Sequence, residues 1–251
     1  MALLSWATHD VEPYVIQRHL PAGWRVSFLA ILIGSWGPDI FTKWFVYGVN
    51  FGGASIRASD PAHFHRSWPG AGFTHSLAFG VAVGLLCYLI TRSRAWGIGL
   101  MIGIWAHVLS DTLDTNGVML FFPLSLARVH LDAWQYAGET SRFMDGAAYF
   151  SSLGFVWDGF WLCMVLINRQ VLTLSYFRES VLPRDGVWKF TGRFIPESAQ
   201  VVLYRGAFFY GACRWTAWLI WAHVLHSYAF DLSWGGPSWV PPFAALLVHP
   251  F

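Results

Sequence analysis

The stretch of sequence that decides the fold runs over residues 73–111 and reads FTHSLAFGVAVGLLCYLITRSRAWGIGLMIGIWAHVLSD. It holds two apolar segments, with Thr-His-Ser at 74–76 opening the first and His107-x-x-x-Asp111 late in the second. Upstream, Asp39 lies in a third apolar segment. Histidine and aspartate cost several kcal/mol in hydrocarbon when they lack a partner. The three segments therefore predict side chains that converge on a common ligand, of which a divalent metal ion is the simplest.

The composition indicates a membrane protein. Of 251 residues, 55% are hydrophobic and only 12% are charged, whereas soluble domains carry about 25% charged residues. The 16 tryptophans fit this class, because indole rings favour the membrane–water interface. The formal net charge is only +2, which excludes a broad basic surface, so we expect membrane lipids and no nucleic acid as partners.

The apolar runs predict an all-α fold, a polytopic membrane helix bundle with about five transmembrane helices of roughly 20 residues each. We place them at 24–47, 72–90, 96–118, 148–167 and 206–230. The first contains Gly34, Gly37 and Pro38, so a kinked or re-entrant segment is expected there. Residues 1–130 form the predicted metal-site region. Residues 131–251 add further transmembrane helices and a polar loop near 170–204.

The distribution of lysine and arginine predicts the orientation of the chain. With a cytoplasmic N-terminus, ten of these residues lie inside and five outside, a bias of the kind seen in multi-pass proteins. On this topology Asp39, His75, His107 and Asp111 lie in the outer halves of their spans, and His65 lies in an outer loop.

His107 and Asp111 are four residues apart, so on a helix they project from the same face and can bind one metal ion together. The alternative is a hydrogen-bonded pair without metal. Asp114 lies near the same face as a supporting or spare ligand, and we class it as a candidate catalytic residue. For Asp39 the alternative is an ion pair with Lys43, four residues on.

Three further residues have both a functional and a structural interpretation. Arg66, next to His65, is typical of a side chain that clamps a phosphate, although it could equally be an interfacial cation that reaches for water. His9 and His75 each follow a threonine and could be simple interfacial histidines. Separately, the hexamer IWAHVL occurs at both 104–109 and 220–225, through duplication of a helix or by chance.

The motifs together resemble the YdjM-like family of bacterial and archaeal inner-membrane proteins, which are regarded as metal-dependent hydrolases. They occur in the family's order: Thr8-His9, Pro38-Asp39, His65-Arg66, Thr74-His75-Ser76, and His107-x-x-x-Asp111 before Gly117 and Pro123. The family is similar in turn to zinc phospholipases C and S1/P1-type nucleases. That likeness implies a set of metal ligands, with Arg66 as a substrate contact: His9, Asp39, His65, His75, His107 and Asp111.

Two functional hypotheses follow. In the first, the protein is a membrane-embedded hydrolase, in which one or two divalent ions, with zinc favoured by the His/Asp mixture, activate water to attack a phosphoester in a lipid-like substrate. In the second, it is a non-catalytic structural or accessory subunit of a larger membrane complex. Many family members carry a second acid two or three residues after Pro-Asp. This chain has Phe41 and Thr42 there, which favours the second hypothesis. An ion-conducting role is less favoured, since no span carries a continuous polar stripe.

Overall fold

The computed structural model describes residues 6–24, 26–138 and 141–232. This part of the chain is all-α, as predicted, apart from one hairpin in which β1 (Val49–Phe51) pairs antiparallel with β2 (Ala54–Ile56). The helices are α1 (Thr8–His19), α2 (Phe28–Tyr47), α3 (Pro61–Arg66), α4 (Leu77–Thr91), α5 (Arg94–Asp111), α6 (Arg142–Phe150), α7 (Leu153–Ile167), α8 (Leu174–Tyr176), α9 (Gly186–Thr191) and α10 (Glu197–Leu219). Short 3-10 and π turns complete it: Ala22–Trp24, Gly72–His75, Arg169–Leu172, Phe177–Val181, Leu182–Arg184 and Ile220–Leu225.

Most helices begin at a side chain that accepts a hydrogen bond from the first turn, which satisfies one of its unpaired amides. The capping residues are Ser27, Asp60, Ser76, Ser93, Ser141, Ser152, Thr173 and Asp185. Helix α1 differs, because its cap comes from another helix. Asp158 of α7 accepts hydrogen bonds from the Thr8 amide and hydroxyl, both at 2.7 Å, and from the Ala7 amide at 3.2 Å. This remote carboxylate fixes the start of α1 against α7.

The predicted spans correspond to helices with different limits. Helix α2 runs without interruption through Pro38, so the segment is not re-entrant; a proline removes only one hydrogen bond, and α2 packs along α5. Helix α5 ends at Asp111, seven residues before the predicted limit. The fourth span is divided into α6 and α7, which meet at an angle of 73°. The expected polar loop near 170–204 is a series of helical turns that leads into α10. Residues 233–251 of the predicted C-terminal region lie outside the described residues.

No single helix of the described chain is both long and apolar enough to cross a bilayer. Helices α6 and α7 together, as a bent pair, have the length and the apolar composition for it. Helix α4 is apolar but shorter.

Helices α2 and α5 pack through glycines. A Cβ atom on Gly103 would lie 2.1 Å from the carbonyl oxygen of Ile31, and one on Gly34 would lie 2.5 Å from that of Leu100. Small residues let helix backbones approach this closely. The contact brings the polar residues of α2 directly against the C-terminal turns of α5.

Helix α10 packs on the N-terminal helices through aromatic side chains instead. Tyr14 of α1, Phe28 of α2 and Tyr204 of α10 form a buried cluster, with ring centroids 4.6–5.1 Å apart. Helix α1 contacts α2, α7 and α10, so it joins the C-terminal helices to the α2–α5 pair.

Candidate metal centre

Four predicted ligands meet at the C-terminal end of α5. Asp39 comes from α2, His75 ends the 3-10 turn before α4, and His107 and Asp111 come from α5. One ligand atom from each lies within 4.8 Å of all the others, and each of the four residues is buried. The prediction that these residues converge is thereby confirmed.

The distances between these atoms fit a shared cation. Asp111 Oδ2 lies 3.0 Å from His107 Nε2 and 3.6 Å from His75 Nε2. Asp39 Oδ1 lies 3.6 Å from His75 Nε2 and 3.7 Å from His107 Nε2. Ligands held tetrahedrally at 2.0–2.2 Å from a zinc ion lie about 3.3–3.6 Å from one another. The side chains are therefore spaced as ligands of one ion would be.

Hydrogen bonds outside the group orient both imidazoles. His107 Nδ1 lies 2.7 Å from the carbonyl oxygen of Ser35, which can only accept, so Nδ1 carries the proton. The Thr74 hydroxyl donates to the carbonyl oxygen of Ala71 at 2.7 Å, so His75 Nδ1, 3.0 Å away, donates to Thr74 Oγ1. In both rings Nε2 is left with its lone pair facing the group, the arrangement that metal-binding histidines need.

Several buried atoms of the group have no hydrogen bond within the described part of the chain. They are Nε2 of His65, His75 and His107 and Oδ1 of Asp39. His107 Nε2 and Asp111 Oδ2, 3.0 Å apart, form a hydrogen-bonded pair if Nε2 carries a proton, so the pair without metal stays an alternative. Buried polar atoms normally have partners, so four such atoms at one place favour a bound cation.

His65 of α3 lies against the same group. Its Nε2 is 3.4 Å from Asp39 Oδ1, and its ring meets His75 edge to face with centroids 4.5 Å apart. Burial, together with the positive charges of Lys43 and Arg66, holds the pKa of His65 well below its usual value. The imidazole is therefore neutral, as a metal ligand must be.

Arg66 is occupied by two carboxylates. Its Nη1 donates to Asp111 at 2.6 Å and its Nη2 donates to Asp114 at 3.2 Å. The side chain is 2% exposed, so the interpretation as an interfacial cation reaching for water is wrong. Burial works against its charge, but the two carboxylates outweigh burial and raise the pKa of Arg66. Arg66 thus fixes Asp111, while its contact with a substrate stays a prediction.

Asp114 has a second role in the segment after α5. Its Oδ1 accepts hydrogen bonds from the amides of Asn116 and Gly117, at 2.9 and 2.7 Å. Gly117 has a φ of +60°, a left-handed conformation that favours glycine. Asp114 thus ties this segment to Arg66, and the structure places it beside Asp111 rather than within the group of four.

His9 is not one of the four convergent ligands. Its ring stacks on His107, with centroids 4.2 Å apart, and its Nδ1 lies 3.0 Å from Glu12. The Ser35 hydroxyl donates to the same Glu12 carboxylate. His9 is 2% exposed, so it is not an interfacial histidine. Sequence reasoning did not identify Glu12, although its i, i+3 spacing from His9 was a usable signal.

Two more buried carboxylates were missed, and both are fully paired. Asp10 accepts hydrogen bonds from Trp36 Nε1 at 3.0 Å and from Arg214 at 2.7 Å, which joins α1 to α10. Asp158 accepts from Thr8 and from the hydroxyl of Tyr149. These acids hold α1 in place and leave no open acceptor for a metal.

The predicted ion pair between Asp39 and Lys43 is present, with Nζ 3.7 Å from Oδ2. It coexists with the metal-ligand geometry, because Asp39 turns its other oxygen, Oδ1, to the histidines. Tyr136 lies beside this pair, and nothing in the sequence pointed to it. Burial raises the pKa of the Tyr136 hydroxyl well above its usual value, so it stays protonated.

Comparisons with known proteins identify the family of this chain. The family described as YdjM inner membrane protein matches residues 14–177, about two thirds of the chain, and includes all four convergent residues. The chain therefore belongs to the YdjM inner membrane protein family. It is also similar to the uncharacterized protein YvsG of Bacillus subtilis (strain 168), with 34% identity over 70 residues. That alignment covers 28% of this chain and 43% of YvsG, so less than half of the relative is spanned. No solved structure gives a significant match.

Proposed function

We propose that this protein is a membrane-embedded, metal-dependent hydrolase. Asp39, His75, His107 and Asp111 would hold a divalent cation, and zinc is the ion that two imidazoles and two carboxylates favour. One observation carries the proposal: three Nε2 atoms and one carboxylate oxygen are buried together without hydrogen bonds. When bound, such an ion supplies Lewis-acid activation of water near neutral pH.

The chain's own residues have distinct parts in this function. Ser35 and Thr74 hold the two imidazoles with Nε2 inward, and Arg66 holds the Asp111 carboxylate. His65 is close enough to Asp39 to serve as a fifth ligand or to accept a proton from water. Phosphoester chemistry comes from the similarity of the family motifs to zinc phospholipases C and S1/P1-type nucleases, which remains a prediction.

The membrane location of the family supports a lipid environment. Large apolar side chains are exposed on three helices, which suits contact with lipid tails. They include Leu85, Leu86, Leu89 and Ile90 on α4, Val156, Phe160, Leu166 and Ile167 on α7, and Val202, Leu203 and Phe209 on α10. We extend this to a multi-pass protein of the inner membrane with a cytoplasmic N-terminus, on the basis of the lysine and arginine bias.

Metal analysis of the full chain tests the proposal. The protein is purified in mild detergent, stripped with a chelator, reloaded with zinc, manganese or iron, and freed of excess ion. We expect about one equivalent per chain in the wild type and a large loss in His107→Ala. His223→Ala is the matched control, because it removes the histidine of the identical hexamer and should retain the ion. Less than about half an equivalent of every metal in the wild type would defeat the proposal.

A non-catalytic accessory subunit is the second candidate, and one observation favours it. Phe41, at a position where many family members carry an acid, is 66% exposed and offers no ligand. Extraction in mild detergent separates the two candidates. Stable co-purification with a large complex, in protein that binds no metal, would support the accessory role.

A further inference from the structure

A second group of buried polar side chains lies next to the metal centre, where α2, α6 and the segment between α5 and α6 meet. Lys43 lies one turn after Asp39 on α2, and its Nζ is 5.5 Å from the ring centroid of Tyr136. The guanidinium of Arg66 is 5.6 Å from the same ring. Arg142, at the start of α6, lies 5.3 Å from the ring of Tyr47, and Lys43 lies 5.6 Å from it. We call Lys43, Tyr136 and Arg142 the donor recess.

Two members of the donor recess, Tyr136 and Arg142, hold hydrogen-bond donors that have no acceptor among the described residues. Tyr136 is 8% exposed, and its hydroxyl has no hydrogen bond among the described residues. Lys43 is 3% exposed, and its nearest carboxylate oxygen, on Asp39, is 3.7 Å away, beyond hydrogen-bond distance. Nε and Nη2 of Arg142 are also buried without acceptors in the described part of the chain. Buried donors normally find acceptors, so this concentration indicates that a ligand supplies them.

The acceptors of the described residues do not fill this need. Tyr47 takes one bond from Arg142 at 3.1 Å and gives its own proton to Asp145 at 2.7 Å. Asp145 lies 3.9 Å from Arg142 Nη1, beyond hydrogen-bond distance. The other two nitrogens of the guanidinium, Nε and Nη2, have no acceptor among the described residues. Gly138 lies beside the Tyr136 hydroxyl, where a Cβ atom would approach to 2.5 Å. A side chain there would occupy the position next to the free hydroxyl.

The charges around the two sites favour an anion of low charge. Lys43, Arg66 and Arg142 are paired with four carboxylates, Asp39, Asp111, Asp114 and Asp145, so one formal negative charge remains. A divalent cation at the metal centre turns this into one positive charge. A phosphodiester group carries one negative charge and offers several acceptor oxygens, which matches both the charge and the donors.

From this geometry we infer that the donor recess binds the phosphate group of the substrate beside the metal centre. The inference rests on the proposed function, because it names the group that the substrate would present to the metal. It also assigns a role to residues outside the predicted site. Lys43 and Arg142 neutralise the phosphate, and the Tyr136 hydroxyl donates to one of its oxygens. The phosphate can belong to a lipid headgroup or to free phosphate.

Ligand binding tests the inference apart from any hydrolysis. The full chain in mild detergent is stripped with a chelator, and both the metal-free and the zinc-reloaded protein are titrated by calorimetry with inorganic phosphate and, separately, with short-chain phosphatidylglycerol, a phosphodiester. The charge count predicts that the zinc-reloaded protein binds the diester more tightly. The Tyr136→Phe variant removes one hydroxyl without changing the ring. We expect it to bind at least about tenfold more weakly, the value of one hydrogen bond to a charged group. Tyr210→Phe, on the exposed face of α10, is the control and should bind as the wild type does.

The outcomes separate the sources of the phosphate. Binding of the diester that weakens in Tyr136→Phe supports a lipid headgroup, and binding of inorganic phosphate alone supports a free phosphate. Lys43→Met should also weaken binding, and circular dichroism checks its fold because Asp39 loses a partner. The inference is overturned if neither probe binds the wild type or if Tyr136→Phe binds as tightly. Zinc reloading of the same preparations reports on the proposed function separately.

Discussion

The same six residues, IWAHVL, occur twice in this chain and have opposite surroundings. In α5, at 104–109, His107 is fully buried and its Nε2 is open toward the metal centre. In the π turn at 220–225, both nitrogens of His223 lie near carbonyl oxygens, with Nδ1 2.7 Å from that of Tyr228 and Nε2 2.9 Å from that of Phe150. A neutral imidazole donates to one of the two. An identical local sequence therefore gives a candidate metal ligand in one place and a structural contact in the other.

The residues that flank the two hexamers explain the difference. Gly103 precedes the first and lets α5 approach α2, whereas Leu219 precedes the second. Four residues after each histidine stand Asp111 in the first copy and Ser227 in the second, so only the first has a carboxylate on the same face. The hexamer alone therefore does not make a candidate metal site. Close packing of α5 on α2 and a carboxylate one turn after the histidine distinguish the first copy.

The largest effect, on the free energy of unfolding, is expected when the packing of α5 on α2 beside the first hexamer is disrupted. A valine at Gly103 would place Cβ 2.1 Å from the Ile31 carbonyl oxygen, and backbone atoms cannot move aside cheaply. We expect Gly103→Val to lower the free energy of unfolding by about 3 kcal/mol or more. Thermal unfolding in detergent, followed by circular dichroism, should then show a fall in melting temperature of roughly 6 °C or more.

A second valine variant controls for the change of residue type. Gly206 lies within α10, and a Cβ atom there meets nothing within 4 Å. Gly206→Val should therefore change the free energy of unfolding by no more than about 0.5 kcal/mol. Equal effects of the two variants would show that close approach of α2 and α5 does not stabilise the fold.

A smaller effect, on zinc affinity, is expected when the hydrogen bond that orients His75 is removed. Thr74→Val removes the hydroxyl that holds Nδ1 and leaves the imidazole free to turn. Loss of such a supporting partner weakens metal affinity by about 10–100-fold. Competition with a fluorescent zinc chelator measures this, and Thr74→Ser, which keeps the hydroxyl, should bind zinc nearly as the wild type does. Unchanged affinity in Thr74→Val would mean that the ring is positioned by packing alone.

Features of the fold and of the candidate site that depend on neighbouring residues in the sequence could be predicted, whereas features that depend on distant contacts could not. The His107 and Asp111 pair follows from helix periodicity, and Asp39 and His75 follow from the cost of burying polar groups in apolar segments. These residues do converge. The helix limits were less predictable, because the bend between α6 and α7 and the end of α5 depend on contacts with distant segments.

Most of the residues that sequence reasoning missed act over long separations in the sequence. Asp158 caps α1 from 150 residues away, and Arg214 reaches Asp10 across 204 residues. Tyr136 comes from an irregular segment that has no periodicity to interpret. Such pairings arise only when the chain folds, so no local pattern records them. Glu12 is different, since its spacing from His9 could have been recognised.

The smallest effect, on the free energy of unfolding, is expected from a substitution of the histidine in the second hexamer. His223 joins the end of α10 to the last residue of α6, through Phe150, and its ring stacks on Phe230 with centroids 3.7 Å apart. The side chain is only partly buried, so water can replace part of what is lost. We expect His223→Ala to lower the free energy of unfolding by about 1 kcal/mol. Its zinc content should equal that of the wild type, because neither ring nitrogen faces the metal centre. Loss of zinc in His223→Ala, in protein that still melts cooperatively, would show that the two hexamers are coupled and that the flanking residues do not explain their difference.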